Sequence, residues 1–355
     1  MTTSDVGVID LFCGAGGLSC GLKLAGLKTL AGIDIDEACR HPFEFNLNAP
    51  FEAYDILSLG PLDLVKLFGS SSIRVLAGCA PCQPYSHFTR GGDQIANRAA
   101  LVKFGELARD VRPDVVIMEN VPKVQDSREY RTFLDVLSSS GYHISTSVVQ
   151  CAEYGMPQRR RRLVFLASVK GPIRLLPYTG GMSTVRETIM HLPPLAAGES
   201  CSSDPLHKAA RLSELNLERI RHSTPGGSWS DWPDELVLEC HRRDTGRSFG
   251  CVYGRIDPDS QSPTITTKFT SYGTGRFGHP YQDRALSLRE GALLQTFPAD
   301  YEFVPKGSPV GLVETARMIG NAVPVQLGQI IGKTILSHCK GALPATNADG
   351  LRCRA

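Results

Sequence analysis

Two cysteines three residues apart, in Cys79-Ala80-Pro81-Cys82, follow directly on the apolar run IRVLAG (73–78). Pro81 and Pro84 bracket Cys82 and fix backbone φ on either side of it. Its thiol is therefore presented from a stiff loop, as covalent catalysis requires. The pair also fits two buried thiols, a redox CxxC, or half a zinc site, although no second CxxC completes four ligands. Cys79, nearer the strand, reads as structural. Glu119 closes a second apolar run, VVIM (115–118). A carboxylate there is costly unless exposed or paired. Apolar surroundings raise a carboxyl pKa, so that it can donate a proton near neutrality. A sulfur nucleophile beside such an acid suits attack on an electron-poor ring, a ring nitrogen being protonated as the sulfur adds.

Two further patterns suit ligand contacts. Gln158-Arg159-Arg160-Arg161-Arg162 opens the strand-like LVFLA (163–167). Most arginine runs are solvated faces. In a strand, however, Arg160 and Arg162 share one side and Arg159 and Arg161 the other, so one pair can face a site and grip a carboxylate, phosphate or base carbonyl. The run VGVIDLF (6–12) ends in Gly14, Gly16 and Gly17, with Ser19 in the third position of G-x-G-x-x-G and Asp34 twenty residues beyond Gly14. Most such clusters are tight turns. With an acidic residue placed for a ribose diol, this one favours an adenosyl ligand without a pyrophosphate.

The elements that position these residues follow from periodicity. Strands are expected at 6–12, 28–34, 73–78, 112–120, 143–151 and 161–168, with helices at 18–26, 104–111 and 130–141. Alternation of strand and helix implies a doubly wound α/β domain with a mainly parallel sheet. Glycine turn, Asp34, Asp55, Cys82 and Glu119 then converge on the carboxyl edge, where such sheets bind ligands. Composition is compatible with that class. Of 355 residues, 42% are hydrophobic and 21% charged, which excludes bulk disorder. A net charge of +2 does not announce a nucleic-acid binder. Eleven cysteines without a dense framework read as reduced thiols, and no apolar run is long enough to span a bilayer. A soluble cytoplasmic protein is the expectation.

Read together, the motifs DLFCGAGG (10–17), GCAPCQPYS (78–86), MENV (118–121), YGMPQRRRRL (154–163), REGALLQTFP (289–298) and IGNAVP (319–324) resemble, in order and spacing, the C5-cytosine DNA methyltransferases of the prokaryotic restriction-modification or orphan type, over about residues 6–336. The resemblance implies a Rossmann-like S-adenosylmethionine-dependent methyltransferase domain with a smaller irregular, β-rich target-recognition domain. It divides the chain into 1–180 (cofactor domain, first part), 181–284 (target recognition), 285–340 (cofactor domain completed) and a disordered tail, 341–355. It implies Cys82 as nucleophile and Glu119 at the cytosine N3 side. Arg162 holds the base or assists the nucleophile, with Arg160 in support. Phe12, Gly14 and Gly16 wall the S-adenosylmethionine pocket, Asp34 binds the ribose, Asp55 and Ile56 hold the adenine, and Asn321 and Val323 close over it. No metal is implied.

Double-stranded DNA is the implied partner, with Gln83 and Ser86 holding the catalytic loop and target backbone. FTRGGDQIANRAAL (88–101) is the expected closing loop, with Arg98 on a phosphate or on the base that cytosine leaves unpaired. Ala96 stands where family members often carry an acidic residue. Between Arg242 and Arg289 there are eight Lys and Arg against four Asp and Glu, which suits a DNA-facing surface or merely a solvated basic face. Within SPTITTKFTSYGTGR (262–276), Lys268 and Arg276 suit phosphates. The chain is expected to act as a monomer, nucleoid-associated, with room for a cognate restriction endonuclease as partner. A tRNA cytosine-5 methyltransferase is the alternative, faintly supported by KFTSYGTG (268–275). A CxxC redox enzyme and a catalytically silent DNA-binding relative rank lower.

Overall fold

The computed structural model describes residues 6–81, 94–243 and 250–341. Seven strands make one sheet: β1 (Val6–Leu11), β2 (Lys28–Asp34), β3 (Phe51–Ala53), β4 (Ile73–Gly78), β5 (Val115–Asn120), β6 (His143–Gln150) and β7 (Arg161–Ser168). Their order is β3-β2-β1-β4-β5-β7-β6. Strands β3 to β5 run parallel, and β7 enters antiparallel between β5 and β6. The described helices are α1 (Gly17–Leu24), α2 (Arg40–Leu47), α3 (Pro61–Phe68), α4 (Gln94–Val111), α5 (Arg128–Ser139), α6 (Val185–Ile189), α7 (Glu214–His222), α8 (Glu239–Arg242), α9 (Leu288–Leu294), α10 (Leu312–Asn321) and α11 (Val325–Cys339).

The central strands β1, β4 and β5 are buried on both faces, and their alternating side chains divide between two cores. Val8, Val75 and Ile117 pack with Leu22 of α1 and Leu327 and Ile331 of α11. Ile9, Leu76 and Val116 pack on the other face with Phe104 of α4 and Phe133 of α5. The pairing of α1 with α11 rests on absent side chains. A Cβ at Gly17 would lie 2.4 Å from the Val323 carbonyl oxygen, and one at Gly21 2.2 Å from that of Val325. Only glycine lets the late segment of the chain seat against the first helix.

Three differences from the sequence expectations have physical causes. Strand β3 has three residues, too few to show a period. Residues 94–101, expected in a closing loop, form the first turns of α4. Their mix of Ala, Leu, Gln and Arg is helix-favouring. The segment 181–284 is irregular as expected, but its β character is confined, among the described residues, to isolated bridges such as Arg255 with Gly278 and Pro225 with Arg255. It has a small core of Ile220, Trp232, Leu236 and Tyr272. Its Ile256, Ile265 and Phe269 instead join the cluster around Phe43, Phe297 and Ile319. The expected tail lies, from residue 342 on, outside the described residues.

Candidate active site

At the carboxyl edge, the chain leaves β1 through a left-handed turn: Phe12, Gly14 and Gly16 have φ of 57°, 49° and 84°. The turn is tied to the next strand. Asp34, the last residue of β2, accepts from the Gly14 N–H at 2.8 Å and from the Asp36 N–H at 2.9 Å. Burial pushes the Asp34 carboxyl up, while the bonds from Asp36 and Gly14 pull it down. Below it opens a cavity of about 380 Å³, lined by Phe12, Gly14, Asp34, Asp55, Ile56, Asn321 and Val323. These are seven of the eight residues expected at the cofactor. The eighth, Gly16, precedes α1 as its N-cap and does not line the cavity. Ile56 is buried, whereas Asp55 is exposed and caps a short turn by accepting from the Leu57 N–H at 3.0 Å.

Asp10 also lines this cavity and was not foreseen. It is 1% exposed. One carboxylate oxygen accepts from the Ser19 hydroxyl at 2.7 Å, and the other has no partner. Burial, opposed by that hydrogen bond and reinforced by the charge of Asp34, lifts its carboxyl to about 7. An orphaned buried oxygen in a cavity invites a donor from a ligand. The signal in the sequence was the acidic residue inside VGVIDLF, passed over as part of a buried strand.

The other half of the site lies where β4, β5 and β7 end. Glu119 is 2% exposed. Antiparallel register sets it opposite Val164, so Arg162, two residues along β7, projects from the same face. The Arg162 Nε lies 2.8 Å from one Glu119 oxygen, and the Cys79 thiol donates to the other at 3.0 Å. Cys79, the residue after β4, is thus a partner of the carboxylate. Asn120 secures the same loop, donating to the Ala80 carbonyl at 3.0 Å. Residues 79–81 line the cavity, so the Glu119 pair and the cavity share one wall. Cys82, Gln83 and Ser86, which follow that wall in sequence, lie outside the described residues.

Arg160, the other expected arginine, is engaged with backbone from distant parts of the chain. It is 3% exposed, and its guanidinium donates to the backbone oxygens of Ile265 at 2.9 Å, Gly320 at 3.4 Å and Ala322 at 3.3 Å. It fastens the turn before α11 to the 262–276 segment, which is a positioning role. Gln158 works beside it, bonded to Ile265, Leu294 and Gln295. Neither role is legible from strand alternation, because both partners come from distant chain. Arg98 and Lys268 are exposed, and Arg276 is half-buried.

The thiols around the cavity sort themselves by environment. No disulfide joins the described cysteines. Burial pushes Cys13 well up, with the charges of Asp10 and Asp34 adding to it, and pushes Cys20 up to about 12. Such thiols stay protonated and inert. Among the described residues no group of His, Cys, Asp and Glu is placed to hold a metal. No described helix is long and apolar enough to cross a membrane.

Comparison with known proteins agrees with this geometry. The sequence profile of C-5 cytosine-specific DNA methylases matches residues 6–337. The Type II methylase M.HgiDII of Herpetosiphon aurantiacus is 45% identical over 94% of this chain and 96% of its own. The Type II methyltransferase M.BbvI of Brevibacillus brevis is 30% identical over 92% and 90%. Among solved structures, an Escherichia coli prophage-encoded protein described as a DNA modification methyltransferase superposes with a TM-score of 0.74 at 21% identity, covering 94% of this chain and 99% of that one. The Dnmt2 methyltransferase of Schizosaccharomyces pombe gives 0.60 at 19%, over 94% and 98%. These two likenesses establish the fold. From the profile, the relatives and the site together, the chain belongs to the C-5 cytosine-specific DNA methylases and is a DNA cytosine-5 methyltransferase.

Proposed function

We propose that the protein methylates C5 of a cytosine flipped out of a short duplex DNA sequence, through a covalent bond from Cys82 to C6, with S-adenosylmethionine as donor. The observation that carries this reading is the shared wall. Residues 79–81 line the cavity while Cys79 touches Glu119, so a cofactor and a base would meet across one loop.

S-adenosylmethionine, when bound, supplies an electrophilic methyl group on a sulfonium. The residues present fit it. The Asp34 carboxylate suits the two ribose hydroxyls, the exposed Asp55 and buried Ile56 suit the adenine, and Phe12 supplies an apolar wall. Gly14 and Gly16 let the turn pass close by, and Asn321 and Val323 close the cavity from the late segment. The unpartnered Asp10 oxygen suits the cationic end of the molecule. Glu119, gripped by Arg162, holds its carboxyl toward N3 of the base. The Cys82 thiolate adds to C6 as N3 takes a proton, which makes C5 enamine-like; C5 would then take the methyl group, its bond to the sulfonium breaking to leave a neutral thioether. Loss of the C5 proton and expulsion of Cys82 restore the ring. A stacked cytosine offers no access to these atoms, so the base must leave the helix. Gln83 and Ser86 steady the loop, and Arg98 and Lys268 meet phosphates. The protein acts as a monomer, with 181–284 as its target-recognition segment and a cognate restriction endonuclease as a compatible partner.

A duplex carrying 5-fluorocytosine at the target tests the reading, because fluorine blocks the final elimination. A covalent complex should form only with S-adenosylmethionine present, and Cys82→Ala should abolish it. An adduct that survives Cys82→Ala would sink the assigned nucleophile. Labelled methyl incorporated into tRNA alone would select the tRNA alternative.

A further inference from the structure

Arginines in and around the recognition segment fall into two sets. Four that are not exposed have acceptors. Arg219 donates to the Leu236 carbonyl, and Arg255 to the carbonyls of Ile220, Ser223, His279 and Gln282. Arg284 pairs with Glu290, and Arg289 with Asp204. Arg276 is half-buried as well, yet no hydrogen bond or ion pair joins its guanidinium to any described residue, and its Nε is buried without a partner. A half-buried guanidinium with no acceptor is costly in the free protein.

The side chain is nevertheless held. Its stem lies against the backbone of Gly254, where a Cβ would approach the Arg276 Cγ at 2.9 Å and Nε at 3.1 Å. A groove floored by glycine therefore accommodates this one side chain. With Nε enclosed, the terminal nitrogens are left to meet an acceptor from outside. Phosphate contacts need no such enclosure: Lys268, Arg159 and Arg161 are exposed cations and can reach a backbone from solvent. A stem fixed in a groove and a planar donor edge suit a fixed planar acceptor pair. In duplex DNA that is guanine O6 and N7 in the major groove.

We propose that Arg276 reads one guanine of the target sequence, in place of the phosphate contact that its charge alone suggests. The inference rests on the DNA-methylating function proposed above and names a determinant of its specificity. The orphaned guanidinium is satisfied by one base pair and by no other, so the unfavourable free state becomes discrimination on binding.

The test begins with bisulfite sequencing of plasmid DNA from an expressing host, which gives the methylated site. Absence of any methylated cytosine there, with none formed in vitro, would overturn the functional reading itself. Given a site, 7-deazaguanine, which lacks the N7 acceptor, is placed at each guanine in turn. Wild-type kcat/KM should fall roughly tenfold to a hundredfold at one position. Arg276→Gln should lose about as much on the ordinary duplex and nothing further from 7-deazaguanine at that position. It should also accept other base pairs there. Arg276→Lys should not rescue, because a lysine lacks the paired donor edge. The result that overturns the inference is an equal loss for Arg276→Gln on every duplex, with a shallower salt dependence, which is the behaviour of a phosphate contact. Wild-type indifference to 7-deazaguanine at every position overturns it as well, and that arm needs no variant to fold.

Discussion

The sheet and the recognition segment hold their functional side chains in opposite ways. At the sheet edge, position is set by ladders: β5 and β7 pair from Val115 with Ser168 through Asn120 with Leu163, and this register alone brings Glu119 to Arg162. Among the described residues between 181 and 284 the bridges are isolated, and arginine side chains fasten one loop to another. Arg255 gathers the carbonyls of Ile220, Ser223, His279 and Gln282, and Arg160 ties Ile265 to the turn before α11. A ladder averages its geometry over many equivalent bonds. A guanidinium fastening several loops concentrates it in one residue. The sheet edge should therefore tolerate loss of a functional side chain without loss of structure, while the segment should lose structure with one arginine.

The largest expected effect tests the first half of that contrast. Glu119→Gln removes an acid at the base but leaves the β5 ladder intact. Steady-state methyl transfer should fall about 10²- to 10⁴-fold, while urea unfolding and S-adenosylmethionine binding stay near wild type. A fall in stability as large as the fall in rate would mean that Glu119 is scaffold. The second half is tested at Arg284, which is fully buried and bonded to both oxygens of Glu290. Glu290 in turn caps α9 through the Ser287 N–H at 2.7 Å. Arg284→Met leaves a buried carboxylate unpaired and should destabilise by about 3–5 kcal/mol. Adding Glu290→Gln, which removes that charge, should recover part of it. If Arg284→Met unfolds at the wild-type urea concentration, the segment is held by something other than its arginines.

The same contrast explains what could be read from sequence. Strands β1, β2, β4, β5, β6 and β7 announce themselves because each runs for six or more residues. Once the sheet is placed, Asp34 and Glu119 must lie at its carboxyl edge, as the structure shows. Strand alternation also put Arg160 and Arg162 on one side, but not what each would meet. Arg162 meets a residue of the neighbouring strand, whereas Arg160 meets carbonyls more than a hundred positions away. The charge excess between Arg242 and Arg289 misleads for the same reason. Arg255, Arg284 and Arg289 contribute to it, yet they are buried and engaged with acceptors of the protein's own. Charge counts cannot tell a cation that faces DNA from one that holds a loop.

Asp10 offers a smaller and pH-dependent way to sharpen the comparison, since it is a sheet residue that serves the cavity. Its carboxyl lies near 3.8 when exposed and about 7 when folded. Between those values the native protein keeps a proton that the unfolded chain has released. Stability is therefore favoured below about pH 4 and declines as pH rises toward 7, by a few kcal/mol, ~4 at most. Asp10→Asn removes the titration. The free variant should be more stable than wild type at pH 8, should match it near pH 4, and should bind S-adenosylmethionine more weakly. Retention of the wild-type pH dependence by Asp10→Asn would show that another group carries it.

The smallest effect belongs to an ion pair that ties the late segment of the chain to the turn after β2. Arg317 of α10 pairs with Asp36 beyond β2, and both residues line the cavity. Their side chains are 41% and 27% exposed, so solvent screens the attraction, and exposed pairs of this kind contribute about 0–1 kcal/mol. Asp36 also accepts from the Ala38 N–H at the start of a short turn, which makes Arg317 the better residue to change. Arg317→Met keeps most of the stem and removes the charge. KM for S-adenosylmethionine should rise by no more than about fivefold, with kcat unchanged. The difference should vanish at 1 M salt, where the screening length falls to about 3 Å. A rise that persists at high salt would assign Arg317 a packing role at the cavity, and the late segment would then be held, like the recognition segment, by the body of an arginine and not by its charge.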